Sequence, residues 1–147
     1  MPKPVLPEVL APDLLTRLQD RFHPWPLLKD WDLTIDAVAP GTAELSLRPG
    51  PATVNGARGN LNGGVLATMA DMVGALALST AFDGKMPFAT SDLHVRYLEP
   101  ALGPAVATAS VLRLSRSGAV VETRIRCGRT LVVAATMHFS IKPGLAG

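Results

Sequence analysis

One cysteine, Cys127, stands in 147 residues, so an internal disulfide is excluded and stability must come from burial. Cys127 falls near the end of a strand-like run, where a small apolar side chain serves packing. Charge is sparse as well. Asp, Glu, Lys and Arg make up 18% of the chain, little for a fully wetted surface, and burial of part of that surface in an oligomer is expected. No Lys/Arg block occurs. The net charge is +2, and the stretch from Arg113 to Val120 holds only Arg113 and Arg116. A nucleic-acid-binding chain carries a denser basic stripe, so no nucleic-acid partner is expected. The balance suits a small anionic ligand at least as well. The N-terminal run Met1-Pro2-Lys3-Pro4-Val5-Leu6-Pro7 has no continuous apolar stretch, so no signal peptide is read there and a cytoplasmic location is expected.

Apolar residues are plentiful, at 48%, enough for one packed domain of this length. One stretch, Val65 to Phe82, is apolar enough to imitate a membrane span, but Asp71 lies in its middle. A carboxylate there costs about 2.5–3.5 kcal/mol on insertion scales. The stretch reads as a buried helix, with no membrane partner.

Periodicity orders the rest. Residues 1–10 are Pro-rich and expected to be loose. Asp13 to Phe22 reads as a short amphipathic helix with Leu14, Leu15, Leu18 and Phe22 on one side. Pro24 and Pro26 end it, and Trp25, Leu27, Leu28 and Trp31 form an apolar lead-in. Asp32–Val38 and Thr42–Arg48 alternate around Pro40-Gly41 as a hairpin. Pro49–Leu61 is a Gly/Pro/Asn loop, and a helix runs from about Gly63 to Phe82. Phe88–Leu98, Ala105–Leu114, Ala119–Cys127 and Thr130–Ile141 follow as strands. Their short connections predict a four-strand antiparallel meander. A helix apolar on nearly every side must be surrounded by protein. The expected fold is therefore α+β, a six-stranded antiparallel sheet wrapped around one long central helix: the hotdog fold. The chain divides into a tail and short helix at 1–24, a single domain at 25–142 and a C-terminal tail at 143–147.

Between Arg58 and Asp83 the only charged side chain is Asp71. Its helical neighbours Ala67, Thr68, Gly74 and Ala75 are all small, so the carboxylate looks into a tight space. Such a group is costly unless hydrogen-bonded or partly wet. Two readings fit: a general base, or a structural Asp that holds a loop amide or an Arg. Asn62-Gly63-Gly64 opens the helix. Glycines let a ligand approach first-turn N–H groups that lack intrahelical partners, and the positive helix end suits an oxyanion. An ordinary Asn cap and turn fits as well. Gly63 and Asp71 are eight residues apart, about 12 Å along one axis. One carbonyl cannot touch both within a subunit. It can if a second helix runs antiparallel across a two-fold axis, so a homodimer with shared sites is expected, with pairing of two dimers left open.

The run Asn60-Leu61-Asn62-Gly63-Gly64-Val65-Leu66-Ala67-Thr68-Met69-Ala70-Asp71 resembles the hotdog-fold acyl-CoA thioesterases of the phenylacetic-acid-degradation (PaaI-like) type. The resemblance continues through Ser91-Asp92-Leu93-His94-Val95-Arg96-Tyr97-Leu98-Glu99-Pro100-Ala101 to Thr136-Met137-His138-Phe139 and covers roughly residues 25–142. It implies hydrolysis of a thioester to a free acid and CoA, with CoA as part of the substrate and no further cofactor. Asp71 then matches the catalytic carboxylate, as general base or nucleophile, and Gly63 the oxyanion donor. Where that family has a His before the glycine pair, this chain has Asn62, which can donate a hydrogen bond but cannot relay a proton. Gly64 belongs to the same triplet. The family's loop Asn corresponds to Asn55, one residue out of register, or to Asn60. Its strand hydroxyl corresponds to Thr90, with Ser91 as runner-up. Strict alternation sets Thr90 with Asp92, His94 and Arg96, and Ser91 with Leu93, Val95 and Tyr97. The turn Arg116-Ser117-Gly118 could hold a CoA phosphate or be an ordinary hairpin turn.

Other motifs are missing. There is no Gly-x-Ser-x-Gly elbow, phosphate-binding loop or dinucleotide fingerprint. His23, His94 and His138 lack metal-ligand spacing, and no metal is expected. The alternative reading is a hotdog protein that binds acyl-CoA or a similar ligand without hydrolysing it.

Overall fold

The computed structural model describes residues 2–145. Two short helices, α1 (Leu14–Phe22) and α2 (Pro26–Asp30), precede strands β1 (Leu33–Ala39) and β2 (Thr42–Leu47). The long helix α3 (Gly63–Ser79) follows and tightens into a 3₁₀ turn over Thr80–Phe82. Strands β3 (Phe88–Tyr97), β4 (Ala105–Leu114), β5 (Gly118–Cys127) and β6 (Thr130–Ile141) complete an antiparallel sheet, and a last 3₁₀ turn spans Pro143–Leu145. The apolar lead-in, to which no element is assigned from sequence, contains α2. Pro26 takes its first turn, where a missing N–H costs nothing.

The sheet order is β1-β2-β4-β5-β6-β3. The expected four-strand meander is therefore corrected: β4, β5 and β6 form one, but β3 pairs with β6 at the sheet edge, and β4 joins β2. The segment from β3 to β4 carries Pro100 and Pro104 and is no tight turn. It crosses the start of α3, where the Leu61 N–H donates to the Ala101 carbonyl at 2.9 Å.

Register shifts interrupt four of the five strand pairings, β2–β4 alone being regular. Each bulge bends its strand and raises the local twist, which curls the sheet around α3. The inner face sets Leu45, Ala107, Val121, Ile125, Met137 and Phe139 against Leu66, Met69, Val73 and Leu76 of the helix, all buried. Each large side chain so buried stabilises the fold by about 1.5–3 kcal/mol. Alanines on β4 and Gly74 on α3 set how closely the layers approach, since a Cβ at Gly74 would overlap the Met137 Sδ. By length and composition α3 could cross a membrane, yet most of it is buried inside this fold.

Burial of α3 is not complete. Gly64, Ala67, Thr68, Asp71, Met72 and Ala75 form a face that the chain itself leaves partly open. Gly74, expected on that face, is buried instead. The N-terminal tail is also not loose. Leu6 lies against Gly41, and Leu10 and Ala11 pack on the core. Helix α1 closes the free edge of β1, where Gln19 Nε2 donates to the Ile35 carbonyl at 2.8 Å and the Ile35 N–H donates to His23 Nε2 at 3.0 Å.

Thr80 ties the helix end to the β1–β2 turn. Its buried hydroxyl accepts from the Gly41 N–H at 2.9 Å and donates to the Ala77 carbonyl at 2.7 Å. Thr80→Val keeps the shape and strands the Gly41 N–H. The expected outcome is a loss of about 1–3 kcal/mol in unfolding free energy, measured by urea denaturation at matched protein concentration.

Candidate functional site

Two groups of side chains meet α3 at different heights. At its start, Asn62 is the N-cap, and its Oδ1 accepts from the Gly64 N–H at 2.8 Å. The Asn62 Nδ2 donates to Asn55 Oδ1 at 2.9 Å. Asn55 is itself fixed in the loop, its N–H donating to the Asn60 carbonyl at 2.7 Å. The amide oxygen of Asn62 and one of its N–H bonds are therefore committed, and a single N–H is left for a ligand. Gly63 differs. Its N–H has no partner among the described residues, as a first-turn donor should, while its carbonyl accepts from the Tyr97 hydroxyl at 2.6 Å. Asn60, Gly63, Leu66, Tyr97 and Glu99 line an open cleft of about 330 Å³ at this helix end.

Asp71 lies two turns further on, half-buried rather than enclosed. Thr90 Oγ1 donates to Asp71 Oδ1 at 2.7 Å. Oδ2 has no partner among the described residues. Ser91 does not join this pair. The β3–β6 register slips between Thr90 and Asp92, so Thr90 faces Phe139 and Asp92 faces His138. This bulge reverses the expected parity: Thr90 shares the inner face with Leu93, Val95 and Tyr97, and Ser91 turns outward. There the Ser91 Oγ sits 2.8 Å from His138 Nδ1 and donates to the His138 carbonyl at 3.0 Å.

The turn before β5 is closed on itself. Ser115 Oγ accepts the Gly118 N–H at 3.1 Å and donates to the Gly118 carbonyl at 2.9 Å. The Gly118 amide is thus already used, and a Cβ there would meet the Phe139 carbonyl and the His138 ring. Glycine serves packing at this position. Arg116 and Ser117 stand exposed beside it. Among the described residues no three His, Cys, Asp or Glu side chains cluster as metal ligands.

Residues 58–134, slightly more than half of the chain, match the thioesterase superfamily. The chain belongs to that superfamily. A Halobacterium salinarum protein that carries an esterase name is 39% identical over 69 residues, 46% of each chain. This chain therefore spans about half the length of that curated relative. Among solved structures, a thioesterase from Haemophilus influenzae has a TM-score of 0.79 at 23% identity, covering 91% of this chain and 94% of its own. The PaaI protein of the E. coli phenylacetic acid degradation operon has a TM-score of 0.78 at 18% identity, covering 90% and 95%. Likeness at these identities concerns the fold, and the fold is the hotdog expected from the alternation and the single apolar helix.

The superfamily match takes in the start of α3, Asp71, Thr90 and Tyr97. Asn55, Phe22 and Trp25 precede it. Tyr97 escaped the sequence reading as a partner of Gly63, although its place on the face of Leu93 and Val95 pointed inward. Phe22 and Trp25 escaped it altogether, because only folding brings α1 beside Asp71. Cys127 takes no part. Burial pushes its thiol above the usual range, against a smaller opposing pull from a backbone hydrogen bond with Leu102. The thiolate then forms only at higher pH. Labelling of Cys127 by a soluble disulfide reagent should reach its half-maximal rate above about pH 8.5, the ordinary thiol value. A pH–rate profile centred at or below that value contradicts the assignment.

Proposed function

We propose that this protein hydrolyses acyl-CoA thioesters, working as a homodimer in which the Gly63 N–H of one protomer and Asp71 of the other act on one carbonyl. The observation that carries this is the Thr90–Asp71 hydrogen bond at 2.7 Å. It fixes one carboxylate oxygen and leaves the other without a protein partner among the described residues, on a face of α3 that the chain leaves partly open.

The chemistry is acyl transfer to water. Oδ2 of Asp71 takes a proton from water as its oxygen bonds the thioester carbon, or attacks that carbon itself to give an anhydride that water then opens. Negative charge gathers on the carbonyl oxygen, where the Gly63 N–H and the helix end stabilise it. One such donor is worth about 10²–10³ in rate. The C–S bond breaks and CoA leaves as a thiolate that takes up a proton. The remaining Asn62 N–H is a second donor, and exposed Arg116 and Ser117 supply charge and a hydroxyl for the phosphates. No cofactor is required, CoA being part of the substrate.

The dimer has physical support in a single chain. Asp71 and Gly63 are held about 12 Å apart on one helix, too far for one carbonyl. Strand β3 is a sheet edge with Leu93 and Tyr97 exposed, and such an edge is a template for pairing. Sedimentation at working concentration should show a dimer or a pair of dimers, and a pure monomer removes the shared site.

Asp71→Asn should lower kcat/KM across an acyl-CoA panel by about 10²–10⁴-fold while dimerisation persists. Thr90→Val should cost about 10–100-fold, the worth of one hydrogen bond to a charged group. Near-normal turnover by Asp71→Asn sinks the reading. Tight acyl-CoA binding without turnover by the native protein instead selects the binding-only alternative.

A further inference from the structure

The Asp71 carboxylate borders a second cleft, of about 170 Å³, whose other walls are Phe22, Trp25, Ile35, Met72, Leu76 and Met86 among purely apolar side chains. We infer that this cleft receives the acyl group, and that Trp25, supplied by the N-terminal helices, sets the size of acyl group accepted. The inference rests on the thioesterase reading of Asp71 and names its substrate class: a compact apolar acyl group of about six carbons, as chain or ring.

The size argument is direct. An apolar cavity of about 150 Å³ holds one benzene molecule, and this cleft is only slightly larger. A chain of twelve carbons does not fit inside it. The chemical argument is equally plain. Asp71 is the one charged group on the wall, so an apolar ligand seated there places its polar end at the carboxylate.

Trp25 is an anchored wall and not a loose surface residue. It sits between Pro24 and Pro26 as the N-cap of α2, with extended backbone at φ −66° and ψ 136°, as a residue before proline favours. Its ring packs edge-on against Phe22, 4.7 Å between centroids at 78°. Its N–H donates to the Phe22 carbonyl at 3.0 Å. Phe22 is buried, whereas half of Trp25 (49%) stays exposed at the cleft rim. An anchored ring at the mouth of an apolar cleft limits what extends beyond it.

The test is the ratio of kcat/KM for hexanoyl-CoA to that for dodecanoyl-CoA, measured on the full chain. The native protein should favour hexanoyl-CoA. Trp25→Ala should lower the ratio at least tenfold, by loosening the grip on the short chain and admitting the long one, and Trp25→Phe should restore most of it. A purely structural role for Trp25 would depress both substrates alike and leave the ratio unmoved. Met86→Trp, which fills the cleft from a wall residue outside the N-terminal helices, should lower hexanoyl-CoA turnover relative to acetyl-CoA at least tenfold. Turnover of acyl-CoA with unmoved ratios in Trp25→Ala and Met86→Trp overturns this assignment and spares the thioesterase reading. No turnover of any acyl-CoA by folded native protein overturns both.

Discussion

Asp71 and the free Gly63 N–H ride on one rigid helix, about 12 Å apart, and the rest of the molecule answers to that spacing. A straight α-helix cannot fold back on itself to bring a carboxylate to its own N-terminus. The two groups stay separate within a chain, each with its own support: Thr90 at Asp71, Tyr97 at Gly63. Both supports come from β3, the strand at the sheet edge. The helix face between them is built from small residues and left partly open. A face of that kind allows close approach of another backbone, which larger side chains would forbid.

Much of the fold was legible because its signals are local. Alternation marked six strands, Pro40-Gly41 marked the hairpin, and the apolar run from Gly63 marked the helix. Strand order was not legible, since pairing is decided by distant surfaces. β3 and β4 are neighbours in the chain, yet β4 closes on β2 and β3 on β6, because the connecting segment is spent crossing the start of α3. The expectation that protein surrounds the whole helix is met by this chain on most of its faces and not on the one that carries Asp71. Mean apolarity reports how much of a helix is buried and not whether the same chain buries it.

The site was legible where one residue was chemically alone. Asp71 stood out as the only charge across a long apolar run. Thr90 and not Ser91 bonds Asp71, but the parity argument for Thr90 is reversed by the bulge at Ser91; an inserted residue turns every later side chain to the other face. At Asn62 the expected donor is narrowed to one N–H, because the cap and Asn55 take the rest of its hydrogen-bonding capacity. In the Arg116-Ser117-Gly118 turn, open between a phosphate holder and an ordinary hairpin turn, the Gly118 N–H is taken by Ser115. Each of these details concerns a partner far from the residue in sequence or a bond inside a loop. Neither leaves a periodic trace.

The two edges of the sheet are treated differently, and the difference bears on assembly. An open edge strand offers unpaired N–H and carbonyl groups to any other chain, and natural proteins cover or blunt such edges. At β1 the cover is α1, with Gln19 and His23 meeting both backbone groups of Ile35. The same helix then brings Phe22 and Trp25 to the cleft beside Asp71, so closing that edge and building that wall are one structural act. At β3 no element of the described chain lies outside the strand, and its inward residues Leu93 and Tyr97 remain exposed. The second copy that the proposed chemistry needs therefore has one edge to use, and it is the edge that carries the supports of both Asp71 and Gly63.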